Sequence, residues 1–216
     1  MMRILHISDT HGLHRNLTDL PVADVLVHSG DISNSGTEAE VLDFINWLIE
    51  LPYKHKLFVC GNHDCCLWDA EDIEDLPEGI YFLQDRSVTI DGVVFSGIGY
   101  DHPTDKIDAA ADVVVTHEPP TMIMDYSSGT HWGNIKIKKR VEEIKPTFHL
   151  FGHAHDSYGF RIIGETRYSN ASLMNDKMEL INEPRTLLGF PTGIMGRMAI
   201  KATEEIYLNN DNNDGK

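Results

Sequence analysis

Five short apolar runs constrain this chain more than any other feature, because each one stops at residues that can hold a metal ion. The runs are RILHIS (3–8), DVLVHS (24–29), KLFVC (56–60), DVVVT (112–116) and TFHLFG (147–152). They are rich in β-branched residues, lack clean polar alternation and stop at turn residues, as strands buried on both faces do. The polar groups at their ends are Asp9-Thr10-His11, Gly30-Asp31, Gly61-Asn62-His63-Asp64, Thr116-His117 and Gly152-His153-Ala154-His155. In open α/β sheets the ligand crevice lies beyond the carboxyl ends of the strands. If these strands are neighbours, their ends meet in one crevice.

Taken singly, most of these motifs have bland readings. A D-x-H is usually a surface coincidence, and a G-D after a strand is usually a turn. The whole set, each member at a strand end, is hard to explain as solvated turns. The chemistry that suits it is a pair of divalent ions, since imidazole and carboxylate ligands fit Zn, Mn, Fe or Ni. Two Asp, one Asn and four or five His supply two sites, with one carboxylate shared. Two metals about 3.5–4 Å apart acidify a bridging water and clamp a phosphoryl group. The glycines before Asp31, Asn62 and His153 are read as tight turns that bring backbone close to the ions.

The rest of the chain points to a layered α/β fold. Residues 38–50 are expected to be helical: Thr37 and Glu40 form a capping box, and Val41, Phe44, Ile45 and Leu48 come next at helical spacing before Pro52. A second helix is expected over 134–144, with Ile137, Val141 and Ile144 on one face. The stretches IYFLQ, SVTIDG, VVFSGIG, GFRIIG and TRYSNA read as antiparallel hairpins. One domain is expected over 1–208, with a disordered polar tail at 209–216. A formal net charge of −16 repels polyanions and argues against a nonspecific nucleic-acid binder. Three cysteines, two of them adjacent, make no disulfide framework. No stretch approaches the roughly 20 apolar residues of a membrane span, so a cytoplasmic location is expected.

The ordered set D-x-H, G-D, G-N-H-D, a strand-end His and G-H-x-H, over residues 9–155, resembles the calcineurin-like metallophosphoesterase superfamily. EVLDFINWLIELPYKHKLFVCGNHD and THWG…KPTFHLFGHAHDSYG look like its metallophosphoesterase-domain-containing branch, related to class III cyclic-nucleotide phosphodiesterases, and YSNASL…INEP extends the likeness to about residue 184. The fold this implies is a four-layer α/β/β/α sandwich. By matching motif positions, Asp9, His11 and His155 would hold one metal, Asn62, His117 and His153 the other, and Asp31 would bridge them. His63 would face the phosphate and protonate the leaving group, while the bridging hydroxide attacks phosphorus. Many superfamily phosphatases orient that histidine with an Asp a few residues past G-D. Here GDISNSG has no such carboxylate, which leaves Asp64 as the candidate.

The resemblance implies a dinuclear phosphoesterase using Mn2+, Fe2+/Fe3+, Zn2+ or Ni2+ on a small phosphodiester such as a cyclic nucleotide. The same site would serve a phosphomonoesterase or a nuclease, and a non-catalytic scaffold is the alternative of another class. Related enzymes often dimerise, which leaves a homodimer open. His131, in GTHWGN, is a substrate-binding candidate. His149 is read as a hydrogen-bonded core histidine, with a site role as the alternative, and His6 and His28 as strand residues. Cys65 and Cys66 are read as buried small hydrophobes. Lys136, Lys138, Lys139 and Arg140 are read as a solvated helix face.

Overall fold

The computed structural model describes residues 1–190, so the tail at 209–216 lies outside the described residues. Among the described residues thirteen strands and two α-helices run in the order β1 (Met2–Ile7), β2 (Val25–His28), α1 (Glu38–Glu50), β3 (His55–Phe58), β4 (Ile80–Phe82), β5 (Arg86–Ile90), β6 (Val93–Gly97), β7 (Val113–Val115), β8 (Tyr126–Ser127), β9 (Thr130–His131), α2 (Ile135–Ile144), β10 (Phe148–Phe151), β11 (Gly159–Ile163), β12 (Thr166–Asn170) and β13 (Arg185–Gly189). One sheet has the order β13-β1-β2-β3-β4, the other β11-β12-β10-β7-β6-β5, and β8 pairs with β9 in a small ribbon.

Side-chain parity explains why the runs carry no alternation. Met2, Ile4, Val25, Val27, Leu57 and Val59 point toward the second sheet and meet Phe95, Val113, Val115, Phe148 and Leu150. The alternate residues Leu5, Ile7, Leu26 and Phe58 point the other way, onto Val41, Phe44, Ile45 and Leu48 of α1. In the second sheet, Val114, Phe151 and Tyr168 turn outward onto Ile137 and Val141 of α2. Each central strand is apolar on both faces because each sheet is sandwiched, and the order of layers is α/β/β/α. His6 is a polar exception between the sheets. Its Nδ1 and Nε2 each lie 2.9 Å from a hydroxyl, those of Ser169 and Ser29.

The capping box forms as expected, with the Thr37 hydroxyl accepting from the Glu40 N–H and the Glu40 carboxylate accepting from the Thr37 N–H. α2 begins one residue later than expected, because Asn134 caps it through its side-chain oxygen. Two of the expected hairpins exist, β5–β6 and β11–β12. The stretch IYFLQ does not join them: β4 lies parallel to β3 at the edge of the first sheet. At the opposite edge, β13 runs antiparallel to β1, from Met2↔Gly189 to His6↔Arg185, which places residues that carried no readable signal.

His28 and His149 are core residues. His28 Nε2 lies 2.9 Å from the Thr10 hydroxyl, and His149 Nε2 lies 2.9 Å from the Thr116 hydroxyl. Burial pushes the His149 imidazole down to about 3. The unfolded chain therefore protonates this residue below about pH 6.5 while the folded chain does not. Its stabilising contribution is complete above that pH and is lost as pH falls toward 3. In metal-free protein, His149→Gln is expected to lose less unfolding free energy than the wild type between pH 7 and 5, by about 2 kcal/mol. Chemical denaturation at the two pH values measures the difference, and equal losses in both proteins would rule this account out.

Candidate metal centre

All five motif ends arrive at one hollow, but from two sheets rather than one. β1, β2 and β3 deliver Asp9, His11, Asp31 and Asn62 from the first sheet, while β7 and β10 deliver His117, His153 and His155 from the second. The hollow lies at the shared end of the stacked sheets.

The groups sort into two halves. Asp9, His11 and His155 place ligand atoms within 4.8 Å of one another, as do Asp31, His117 and His153. Asp31 joins them, since its Oδ2 lies 3.5 Å from His11 Nε2 and 3.3 Å from His117 Nε2. Asn62 Oδ1 lies 2.8 Å from both His117 Nε2 and His153 Nδ1. In the first half, His155 Nε2 lies 3.4 Å from Asp9 Oδ1.

These residues fit a pair of cations. Both ring nitrogens of His11 are buried without a hydrogen-bond partner among the described residues, a cost that a bound ion removes. Two carboxylates, an amide oxygen and imidazoles are the donors that borderline divalent ions accept.

The local backbone is bent to aim these groups. Asp9, His11, Asp31 and His153 have φ of 55°, 42°, 55° and 66°, a left-handed conformation uncommon outside glycine. The turns are held by the ligands' own carboxylates. The His63 N–H donates to Asp31 Oδ1 at 2.8 Å, and the His153 N–H to Asp9 at 3.1 Å. Gly30 makes a left-handed turn as expected, with φ of 99°, and Gly61 and Gly152 give clearance to the ligand side chains themselves. A Cβ on Gly61 would overlap the Asp31 carboxylate, and one on Gly152 would overlap the Asp9 carboxylate and the Ser8 hydroxyl.

Charge is balanced within the cluster. Burial opposes the Asp9 charge, yet the imidazoles of His155, His117 and His11 hold its carboxyl well below the ordinary range. Burial likewise opposes a charged His117, but the carboxylates of Asp31 and Asp9 outweigh it and push this imidazole up to about 10. Burial and the His117 charge push His153 down to about 4.

His63 and Asp64 have separate tasks, which corrects the expectation for Asp64. The Asp64 carboxylate accepts from the N–H groups of Ile32, Ser33 and Gly61 and from the Ser33 hydroxyl, at 3.2, 2.9, 2.8 and 2.6 Å. It ties the Asp31 turn to the Asn62 turn. The His63 ring is oriented by main chain instead, its Nδ1–H donating to the Asn34 carbonyl at 2.9 Å. A ring nitrogen of His63 falls within 4.8 Å of ligand atoms on His11 and Asp31, so the ring stands over the hollow. No sequence pattern announces a backbone carbonyl as a histidine's partner.

His131 is exposed, and its Nδ1 lies 2.8 Å from Asp125 Oδ1 with its ring against Tyr126. Of that loop it is Trp132 that reaches the centre, its ring centroid 5.5 Å from that of His153. Cys65 and Cys66 are exposed rather than buried, because the short helical turn after Asp64 faces outward. The Arg140 guanidinium turns away to the Ile107 carbonyl and Glu143.

A model of the calcineurin-like phosphoesterase family matches residues 2–157. The chain belongs to that family. Calcineurin-like phosphoesterases are metal-dependent phosphoester hydrolases. A UPF0046 protein of Caenorhabditis elegans is 33% identical over 85% of this chain and 73% of its own length. Metallophosphoesterase domain-containing protein 1 of Homo sapiens is 27% identical over 88% of this chain and 71% of its own. One crystal structure shares the fold at a TM-score of 0.57, with 16% identity over 78% of this chain and 90% of that one.

This calcineurin-like phosphoesterase also uses residues beyond the family match. The Ser172 hydroxyl donates to Asp9 Oδ2 at 2.5 Å, and the Asn175 carbonyl accepts from His155 Nδ1–H at 3.3 Å. Each leaves the other ligand atom of its partner facing the hollow. Such outer contacts typically carry 10- to 100-fold in metal affinity. Ser172→Ala is therefore expected to weaken one ion of two by about that factor, while Asp31→Ala empties both positions. Metal analysis after dialysis against graded chelator measures this, and two ions retained by Asp31→Ala would refute the shared carboxylate.

Proposed function

We propose that this phosphoesterase hydrolyses small phosphodiesters, cyclic nucleotides among them, at a dinuclear centre held by Asp9, His11, His155, Asp31, Asn62, His117 and His153. The observation that carries the reading is the position of Asp31 Oδ2 between His11 and His117, with the His63 ring standing over the same hollow. When bound, two divalent ions supply an activated water and neutralise charge on the phosphoryl oxygens. Manganese is the first ion to try, because the donors are oxygen and imidazole with no thiolate among them.

The protein's own part is to bind, orient and move a proton. Asn62 faces the second half through its amide oxygen, and His63, the next residue, presents its ring to substrate from the same turn. The Asn34 carbonyl fixes the proton of His63 on Nδ1. Nε2 is then the atom that carries a second proton to the leaving alkoxide. A diester fits better than a polynucleotide. It brings a single negative charge, whereas a polyanion would meet a chain of net charge −16. All three thiols are free, which suits a reducing compartment such as the cytoplasm. Among the described residues no helix is long and apolar enough to cross a membrane.

The direct experiment is a hydrolysis screen of 2′,3′-cyclic, 3′,5′-cyclic and linear esters, with bis-p-nitrophenyl phosphate as reporter, across Mn, Ni, Zn and Fe. Diester turnover is expected to exceed monoester turnover, and the reverse order would replace this reading by a phosphomonoesterase. His63→Ala is expected to keep both ions while kcat falls by about 100- to 10,000-fold. Unchanged turnover with full metal content would remove His63 from the chemistry.

A further inference from the structure

The second half of the centre is bordered by aromatic rings that hydrolysis itself does not need. Trp132 is 48% exposed, yet it is held in place. Its indole N–H donates to the Ser127 carbonyl at 3.1 Å and its main-chain N–H to the Asp125 carbonyl at 2.8 Å. It meets the His153 ring edge-on, at 87°. Tyr100 approaches from β6's side of the hollow, its ring centroid 6.3 Å from those of both His153 and His117. Trp68 backs Tyr100 at 6.0 Å and donates its own indole N–H to the Gly61 carbonyl.

Both indole N–H groups are thus engaged by main chain, so the two tryptophan rings have only π surface left to offer. Leaving a large ring in water beside a polar hollow forgoes its burial. A ligand that covers the ring recovers it. The carboxylate nearest this rim is that of Glu118, which accepts from the Asp101 N–H and the Asn134 amide, whereas Asp125 is buried and paired with His131. The Glu118 carboxylate disfavours a second phosphate at this rim, and an uncharged flat group is the complementary partner.

We propose that Trp132 and Tyr100 form a stacking subsite for a flat ring, aryl or nucleobase, on an ester arm of the substrate. This inference rests on the reading of the centre as a phosphoester site. It adds that the second ion's side of the hollow selects which arm is bound. Stacking on one aromatic side chain is typically worth about tenfold or more in affinity, and the loss should appear only for ligands that carry a ring.

The test uses the full chain loaded with Mn2+ and titrated calorimetrically with inorganic phosphate, phenyl phosphate and adenosine 5′-monophosphate. Trp132→Leu and Tyr100→Leu keep apolar bulk and remove the ring. Each is expected to weaken the ring-bearing ligands roughly tenfold and to leave inorganic phosphate and metal content as in the wild type. Trp132→Phe retains a π face and is expected to restore most of the affinity, which separates stacking from a folding defect. The ratio of the phenyl to the adenosine ligand tells an aryl subsite from a nucleobase subsite. Equal losses for all three ligands, or none for the ring-bearing two, would overturn the subsite while leaving the phosphoesterase reading intact. Failure of the metal-loaded wild type to bind inorganic phosphate would overturn both.

Discussion

One carboxylate organises this molecule. Asp31 offers Oδ2 to histidines from both sheets and Oδ1 to the N–H of His63. It faces those partners only because its backbone is left-handed and because Gly61 has no side chain to strike it. A buried carboxylate is costly unless opposite charge and hydrogen bonds compensate it. Here the compensation comes from loops far apart in sequence, so the centre ties the two sheets together. The strain in the turns at Asp9, His11, Asp31 and His153 is sustained by the same contacts.

Beneath the ligands lies a layer of imidazole–hydroxyl pairs. Thr10, between Asp9 and His11, is held by His28; Thr116, beside His117, is held by His149; Ser29 and Ser169 close around His6. All of these groups are buried. They give the buried hydroxyls near the strand ends a partner, while Nδ1 of His28 and of His149 stays unpaired among the described residues. They also give rigid backing to the residues that face the ions. This is a structural employment for the histidines inside the strands, as their positions in the sequence led us to expect.

Much of the architecture could be read from residue order alone. The five doubly buried runs, the capping box at Thr37 and the motif ends all lie in local patterns, and local patterns survive in a one-dimensional text. The features that could not be read depend on pairing between distant segments. The stretch at Ile80–Phe82 resembles a hairpin strand, and only its neighbour β3 decides that it lies parallel. Asp64 adjoins His63 in the chain but points to Ser33, while the partner of His63 is a main-chain oxygen that any residue type would supply. Trp132 stands one position past His131, the residue whose type draws notice in that loop. The direction in which the chain leaves β9, not residue type, decides which of the pair faces His153.

The register of β13 has a bearing on biosynthesis. Its residues complete the edge of β1, a strand made long before them. Ser172 and Asn175, which steady Asp9 and His155, are also late to emerge from the ribosome. The nascent chain therefore exposes an unpaired strand edge and an unfinished ion cage until nearly all of the described residues have been translated. Closure of the first sheet and completion of the ion cage both wait on segments far along the chain from β1.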